Sequence, residues 1–245
     1  MECDAETGSC QLPPEKSLRE TPGQTARSLD AVHYIGDPMC SWCWGISPVV
    51  TAIAQFCESR DIAFSMTMGG LRAGGGDTWN EKFKGFLENE WKHIGAKTGQ
   101  PFGFGLLDRP EFNYDTEPAC RAIVTVQMLQ QRQHLAEELP LRFFSAVQRK
   151  FYVDGHDPKE IGFYRDICDE LAVDFAEFSE TFSSPSAIQA TQQAFAQCRQ
   201  WGVRSFPTLL FQRGGELRTL ANGYVTEEAA LQRLIAVFGQ PDDTV

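Results

Sequence analysis

Cys40 and Cys43, with two residues between them, stand in the stretch Asp37-Pro38-Met39-Cys40-Ser41-Trp42-Cys43-Trp44-Gly45. A thiol attacks as its thiolate, and a helix N-terminus favours that anion with unpaired N–H groups and roughly half a positive charge. Thiols placed there titrate between about 3.5 and 7.5 rather than near 8.5. The two-residue spacing sets the second sulfur one helical turn deeper, within reach of a mixed disulfide formed on the first. The pair therefore reads as a redox centre, with Cys40 the exposed attacking thiol and Cys43 the more buried resolving one. Zinc is the competing chemistry for such a pair, and it needs further ligands at suitable spacing. Cys3 and Cys10 have six residues between them, and His33, His93, His134 and His156 contain no finger-like pair, so no metal is expected.

Such a pair needs a strand before it and a helix after it. Ala31 to Gly36 has strand composition and ends in the turn signal Asp37-Pro38. Ile46, Val49, Val50, Ile53, Phe56 and Cys57 recur at spacings of three and four and predict a helix, with Gly45 and Pro48 in or near its first turn. Ile62 to Met68 predicts a second strand, closed by Gly69-Gly70, and completes a βαβ unit. From about 75 to 190 the spacing is helical, over Trp79 to Ile94, Glu117 to Gln133, Leu139 to Tyr152, Pro158 to Leu171 and Phe175 to Phe182. A helix from Ala187 to Trp201, strands at Thr208 to Gln212 and Glu216 to Ala221 about a Gly214-Gly215 turn, and a helix from Thr226 to Phe238 follow. The expected organisation is an α/β domain made of residues 30–74 and 190–245, split by an all-helical insertion at 75–189. Residues 1–29, polar and interrupted by Pro13, Pro14 and Pro22, read as a mobile tail.

A second element is Arg204-Ser205-Phe206-Pro207-Thr208 ahead of the late strand. A proline there has no N–H for a ladder, so it marks an edge, a strand start or a cis bond. With a cis Pro207, the N–H and C=O of Phe206 are free to pair with an extended peptide beside Cys40.

Together these residues resemble the DsbA family of thioredoxin-fold proteins, over about residues 31 to 240. The Asp-Pro-x-Cys-x-Trp-Cys-Trp-Gly pattern is similar to its cytosolic FrnE-like branch. The resemblance implies a thioredoxin-like fold, a nucleophilic Cys40, a resolving Cys43, a cis-proline role for Pro207, and a helical cap flanking the site groove. Periplasmic members carry Pro-His between the cysteines where this chain has Ser41-Trp42. Lacking the imidazolium, this thiolate is expected to be less stabilised and the protein a weaker oxidant. Some FrnE-like proteins carry a second cysteine pair near the C-terminus, whereas no cysteine follows Cys198 here.

The remaining features narrow the chemistry. Lys plus Arg number 22 against 33 Asp plus Glu, a formal charge of −11 over 245 residues. Such a surface repels phosphate backbones and anionic lipid, so neither nucleic acid nor membrane is an expected partner. No apolar run reaches the roughly 20 residues of a membrane helix. The opening MECDAETGSCQLPPEKSLRE lacks a secretory apolar region, so a cytoplasmic protein with mostly reduced thiols is expected. Cys57, Cys120, Cys168 and Cys198 fall in apolar helical patterns and read as buried small hydrophobes. Cys3 and Cys10 are either incidental or an accessory redox pair, with Glu2, Asp4 and Glu6 disfavouring a thiolate beside them. Asp37 either forms the turn or tunes proton traffic at the cysteines. Trp42 and Trp44 either pack or offer an apolar surface to an unfolded client. Phe102, Phe104, Phe112 and Tyr114 are core or groove rim, and His33 is a strand residue without a catalytic part. The glycine clusters lack the endings of phosphate or dinucleotide loops.

The expected function is thiol–disulfide exchange on protein or small-molecule disulfides, with no bound cofactor and with glutathione or a thioredoxin-like reductant as redox partner. Two alternatives stand. A kappa-type glutathione transferase or isomerase shares the layout but generally has serine in place of the first cysteine. A non-catalytic client-binding module would be oxidised once and stay so.

Overall fold

The computed structural model describes residues 2–11 and 30–239. β3 (Ala31–Gly36) is the pivot of a four-stranded sheet ordered β4-β3-β6-β7. It runs parallel to β4 (Ala63–Met68), with Ala31 opposite Ala63 and Gly36 opposite Met68. On its other side it is antiparallel to β6 (Thr208–Arg213), with Ile35 opposite Thr208. Val32, Tyr34 and Ile35 are all buried, because both faces of the sheet are covered; the strand therefore reads as an apolar run rather than an alternation. β6 turns back into β7 (Glu216–Asn222) through Gly214 and Gly215, whose φ values of 59° and 90° need a residue without Cβ.

The helix that the sequence predicts after the cysteines is two helices, α1 (Ser41–Gly45) and α2 (Ser47–Glu58). The break has a backbone cause. Pro48, in the first turn of α2, has no N–H to offer the Trp44 carbonyl. Gln100 Nε2 takes that carbonyl instead, at 3.1 Å, and also reaches Ser47 Oγ at 2.7 Å.

Between β4 and the return of the sheet lie α3 (Glu81–Thr98), α4 (Glu117–Gln133), α5 (Leu139–Tyr152), α6 (Arg165–Glu170), α7 (Phe175–Phe182) and α8 (Pro185–Gln200). α3 starts two residues later than its apolar spacing predicts, since Asn80 caps it by accepting from Phe83 N–H at 3.0 Å. α8 starts two residues earlier, with Ser184 as the cap and Pro185 in the first turn. The predicted helix over Pro158 to Leu171 shrinks to α6 preceded by a 3₁₀ turn at Ile161–Tyr164. There Asp157 holds Lys159 N–H in a local turn at 3.0 Å, and the Tyr164 hydroxyl donates to the Pro158 carbonyl at 2.6 Å. α4 packs on α5, α7 and α8, α1 lies against α3 and α5, and the last helix, α9 (Glu227–Phe238), covers α2.

Residues 2–11 depart from the expected mobile tail. They fold into a hairpin of β1 (Glu2–Asp4) and β2 (Ser9–Gln11), and β2 adds to β5 (Ser205–Phe206) to make a second sheet, β1-β2-β5. The turn is specified locally. Asp4 Oδ1 accepts from Glu6 N–H at 2.8 Å and Thr7 N–H at 3.3 Å, and Gly8, at φ 66°, returns its N–H to the Asp4 carbonyl at 2.8 Å. A disulfide joins Cys3 to Cys10 across the hairpin. The rest of the expected tail, 12–29, lies outside the described residues, as do residues 1 and 240–245.

Candidate active site

Cys40 is the N-cap of α1, with extended φ and ψ of −90° and 117°. Its N–H donates to the Asp37 carbonyl at 3.0 Å, and its own carbonyl takes the Trp44 N–H at 3.1 Å. The strand–turn–helix step is thereby closed on both sides of the sulfur. Asp37 Oδ1 accepts from Met39 N–H at 2.8 Å, the local bond of a turn. Its Oδ2 reaches further, to Leu71 N–H at 2.7 Å and the Cys120 thiol at 3.4 Å. The carboxyl thus ties the turn to the loop after β4 and to α4. It is fully buried, and burial pushes its pKa up despite these donors.

Across the site, the Phe206–Pro207 peptide bond is cis and links β5 to β6. Cys40 Sγ lies 3.7 Å from the Phe206 carbonyl oxygen, toward which its S–H points as a weak donor. Tyr34, from the middle of β3, stands beside Cys43; burial and that thiol raise its pKa well above the ordinary phenol value. The Tyr114 hydroxyl donates to the Met39 carbonyl at 2.9 Å and lies 3.5 Å from the Tyr152 hydroxyl. Tyr152 in turn stacks on Trp44, whose indole N–H donates to the Pro101 carbonyl at 2.8 Å. Tyr34, Tyr152 and the contact of Cys120 with Asp37 escape a reading of local pattern. β3, α5 and α4 bring them together, and each sits in an apolar run that looks like ordinary core.

The exposure expected of Cys40 is corrected by the structure. Cys40 and Cys43 are both free thiols, and both are 0% exposed. The N-terminal hairpin covers the helix that starts at Cys40. β2 pairs with β5 and rests on α1, while Gly8 presses on Trp42 and Tyr224. The thiol pKa follows the burial. Cys40 lies well above the ordinary thiol value, chiefly through desolvation, with the neighbouring Cys43 and the Asp37 charge adding to it. A five-residue helix does not offset that loss of water, so the depressed pKa expected of a helix N-terminus does not hold while the cover is closed.

Trp42 is buried between His93 and Tyr224, at ring separations of 5.9 and 6.0 Å, with the Lys97 ammonium 5.3 Å from its ring centre. Ser41 is buried with it. Phe112 and Tyr114 belong to the core, packed with Phe151, whereas Phe104 is exposed. His33 bonds Ser65 Oγ at 2.6 Å on β4 and rests on Trp201. Cys57, Cys168 and Cys198 are buried, and burial pushes each thiol up to about 12. A groove of about 1770 Å³, whose lining includes Thr51, Ala54, Met66, Gln127, Leu141 and Arg149, reaches neither Cys40 nor Cys43.

No protein-family profile and no curated protein sequence matches the chain. Solved structures do. A candidate protein disulfide isomerase from Nitrosomonas europaea is 31% identical, with a TM-score of 0.74 over 87% of this chain and 99% of its own. The cytosolic disulfide reductase DsbM from Pseudomonas aeruginosa is 23% identical, with a TM-score of 0.66 over 85% of this chain and 98% of its own. Reduced DsbA1 from Neisseria meningitidis is 12% identical, with a TM-score of 0.53 over 94% and 90%. The latter two likenesses are of fold. The class is that of thioredoxin-fold thiol–disulfide oxidoreductases whose core is split by helices. The chain belongs to the DsbA family.

Proposed function

We propose that this protein catalyses thiol–disulfide exchange on protein or small-molecule disulfides through Cys40 and Cys43. One observation carries the reading. Cys40 Sγ lies 3.7 Å from the carbonyl of Phe206, and Phe206 is on a backbone edge that accepts an added strand. An extended peptide laid on that edge brings its own sulfur to Cys40.

In the proposed cycle the Cys40 thiolate attacks one sulfur of the substrate disulfide, and the other sulfur leaves as a thiolate that takes up a proton. The Cys43 thiolate then attacks Cys40 Sγ and releases the second substrate sulfur, leaving a Cys40–Cys43 disulfide. Two electrons from glutathione or a thioredoxin-like reductant reset the pair. A solved structure of DsbM with glutathione supports the smaller of these partners, and the cytosolic location of that reductase supports the cytoplasm as the compartment. Among the described residues, no helix is long and apolar enough to cross a membrane. Asp37 adjusts the first step. Its negative charge raises the Cys40 pKa, so protonation of this buried acid favours the attacking thiolate.

Reduction of insulin or of a small aromatic disulfide tests the reading. Cys40→Ala is expected to abolish it, and Cys43→Ala to accumulate mixed disulfides. Full activity in Cys40→Ala overturns the assignment, and glutathione conjugation by Cys43→Ala moves the protein to the transferase class.

A further inference from the structure

We propose that Cys3 and Cys10 form a second redox centre of this chain, docked on the Phe206 edge as a tethered disulfide substrate that exchanges with Cys40 and Cys43. The inference rests on the function proposed above and names one substrate of that site.

Position carries it first. β2 is antiparallel to β5, with Cys10 directly opposite Phe206 and Gln11 opposite Ser205. Opposed Cα atoms in such a pair are about 4.5–5.5 Å apart. Cys10 is therefore one strand spacing from the residue whose carbonyl Cys40 Sγ touches. Cys10 is fully buried in the same apolar cluster as Cys40 and Cys43, and Cys3, on the outer strand, is partly exposed. Cys10 is thus the inner cysteine of the hairpin, on the strand paired with the Phe206 edge, and Cys3 the outer one.

Pairing carries it second. Cys3 and Cys10 are joined, while Cys40 and Cys43 are free thiols. The described residues thus hold one disulfide and one dithiol between which a pair of electrons can pass. In a reducing compartment, a disulfide is usually transient and catalytic or redox-sensing.

Fit carries it third. Tyr224 N–H donates to the carbonyls of Thr7 and Gly8 at 3.2 and 3.0 Å, and Lys97 Nζ reaches the Ala5 carbonyl at 3.5 Å. A Cβ on Gly8 would stand 2.6 Å from Tyr224 Cβ, and one on Gly223 would run into the Thr7 carbonyl. The hairpin and its dock are shaped to each other by two glycines that admit no side chain.

The exchange balances within the chain. The Cys40 thiolate attacks Cys10 Sγ, the Cys3–Cys10 bond breaks, and Cys3 leaves as a thiolate and is protonated. Deprotonated Cys43 then attacks Cys40 Sγ and breaks the Cys10–Cys40 bond, and Cys10 takes up a proton. Two electrons pass from the Cys40–Cys43 dithiol to the Cys3–Cys10 disulfide, and two protons follow. The reverse transfer uses the same bonds. While docked, the hairpin holds the edge that an external peptide would use, so tethered and external disulfides compete for one thiol.

The test uses the full-length chain. Cys43→Ala is incubated with no added disulfide, quenched in acid and unfolded, and only then treated with N-ethylmaleimide, so that the reagent caps the thiols present without consuming Cys40 beforehand. Non-reducing peptide mapping by mass spectrometry is expected to find Cys10 linked to Cys40 and Cys3 capped, in a fraction unchanged by tenfold dilution. A Cys3→Ser/Cys10→Ser double variant is titrated in parallel against glutathione disulfide. If its Cys40–Cys43 pair cycles while Cys43→Ala keeps Cys3–Cys10 intact, the tethered-substrate inference is overturned and the site reading survives. If the double variant does not cycle, the reading of Cys40 and Cys43 falls, and the inference with it.

Discussion

Cys10 stands in strand register directly opposite Phe206, the residue whose carbonyl oxygen lies 3.7 Å from Cys40 Sγ. The N-terminal hairpin therefore adds a strand where a client strand would be added in the proposed reaction, and it covers the helix that begins at the thiol which that reaction requires to be reached. Burial and reactivity oppose each other at this site, and the position of ten residues decides between them.

Opening that cover is expected to activate Cys40. Gly8 has φ 66° and a Cβ there would meet Tyr224, so Gly8→Val is expected to undock the hairpin without altering Cys40 or Cys43. Iodoacetamide is expected to alkylate Cys40 at least about tenfold faster in this variant at neutral pH, because each unit of pKa lowering gives about tenfold more thiolate. Equal rates in the two proteins would show that something other than the hairpin seals the site.

Asp37 has two separable effects. Asp37→Ala leaves the Met39 and Leu71 N–H groups without their acceptor, a cost of about 1–3 kcal/mol for each that stays buried and unpaired, read as a lower urea midpoint. Asp37→Asn keeps the volume and removes the charge that raises Cys40. The Cys40 midpoint, followed by ultraviolet thiolate absorbance, is expected to move down. An upward move would contradict the assigned role of that charge.

Stability is expected to fall in alkali. Burial pushes Cys57, Cys168 and Cys198 up to about 12, whereas an unfolded thiol titrates near 8.5. The folded state holds these protons longer. Their contribution is complete below about pH 8.5 and is lost as pH rises from there through about 12. Cys57→Ala, though less stable at neutral pH, should lose stability less steeply across that window, by up to about 1.4 kcal/mol per pH unit. A slope identical to that of the parent protein rules this account out.

The interruption between α1 and α2 rests on one amide. Gln100→Ala removes the donor that serves the Trp44 carbonyl and Ser47 Oγ, and is expected to cost about 1–3 kcal/mol in chemical denaturation. No measurable cost would mean that water replaces the amide.

Much of this architecture is legible along the chain. The apolar spacings of 117–133, 139–152 and 175–182 match α4, α5 and α7 to the residue, because each helix buries one face and its ends carry their own signals. The helix at 158–171 is overread for the opposite reason: its apolar residues pack, but a local turn at Asp157 and a 3₁₀ turn intervene.

What residues 37 to 45 determine by themselves is a strand end, a turn and a helix start carrying two sulfurs one turn apart. All of that is set by bonds between near neighbours. Tertiary structure alone decided that Asp37 would meet Leu71 and Cys120, that Tyr34, Tyr114 and Tyr152 would surround the site, and that a polar N-terminal segment would cover it. The reason is physical. Desolvation and strand pairing are set by whichever group arrives from elsewhere in the chain, and the spacing of residues around Cys40 carries no record of a partner at position 10.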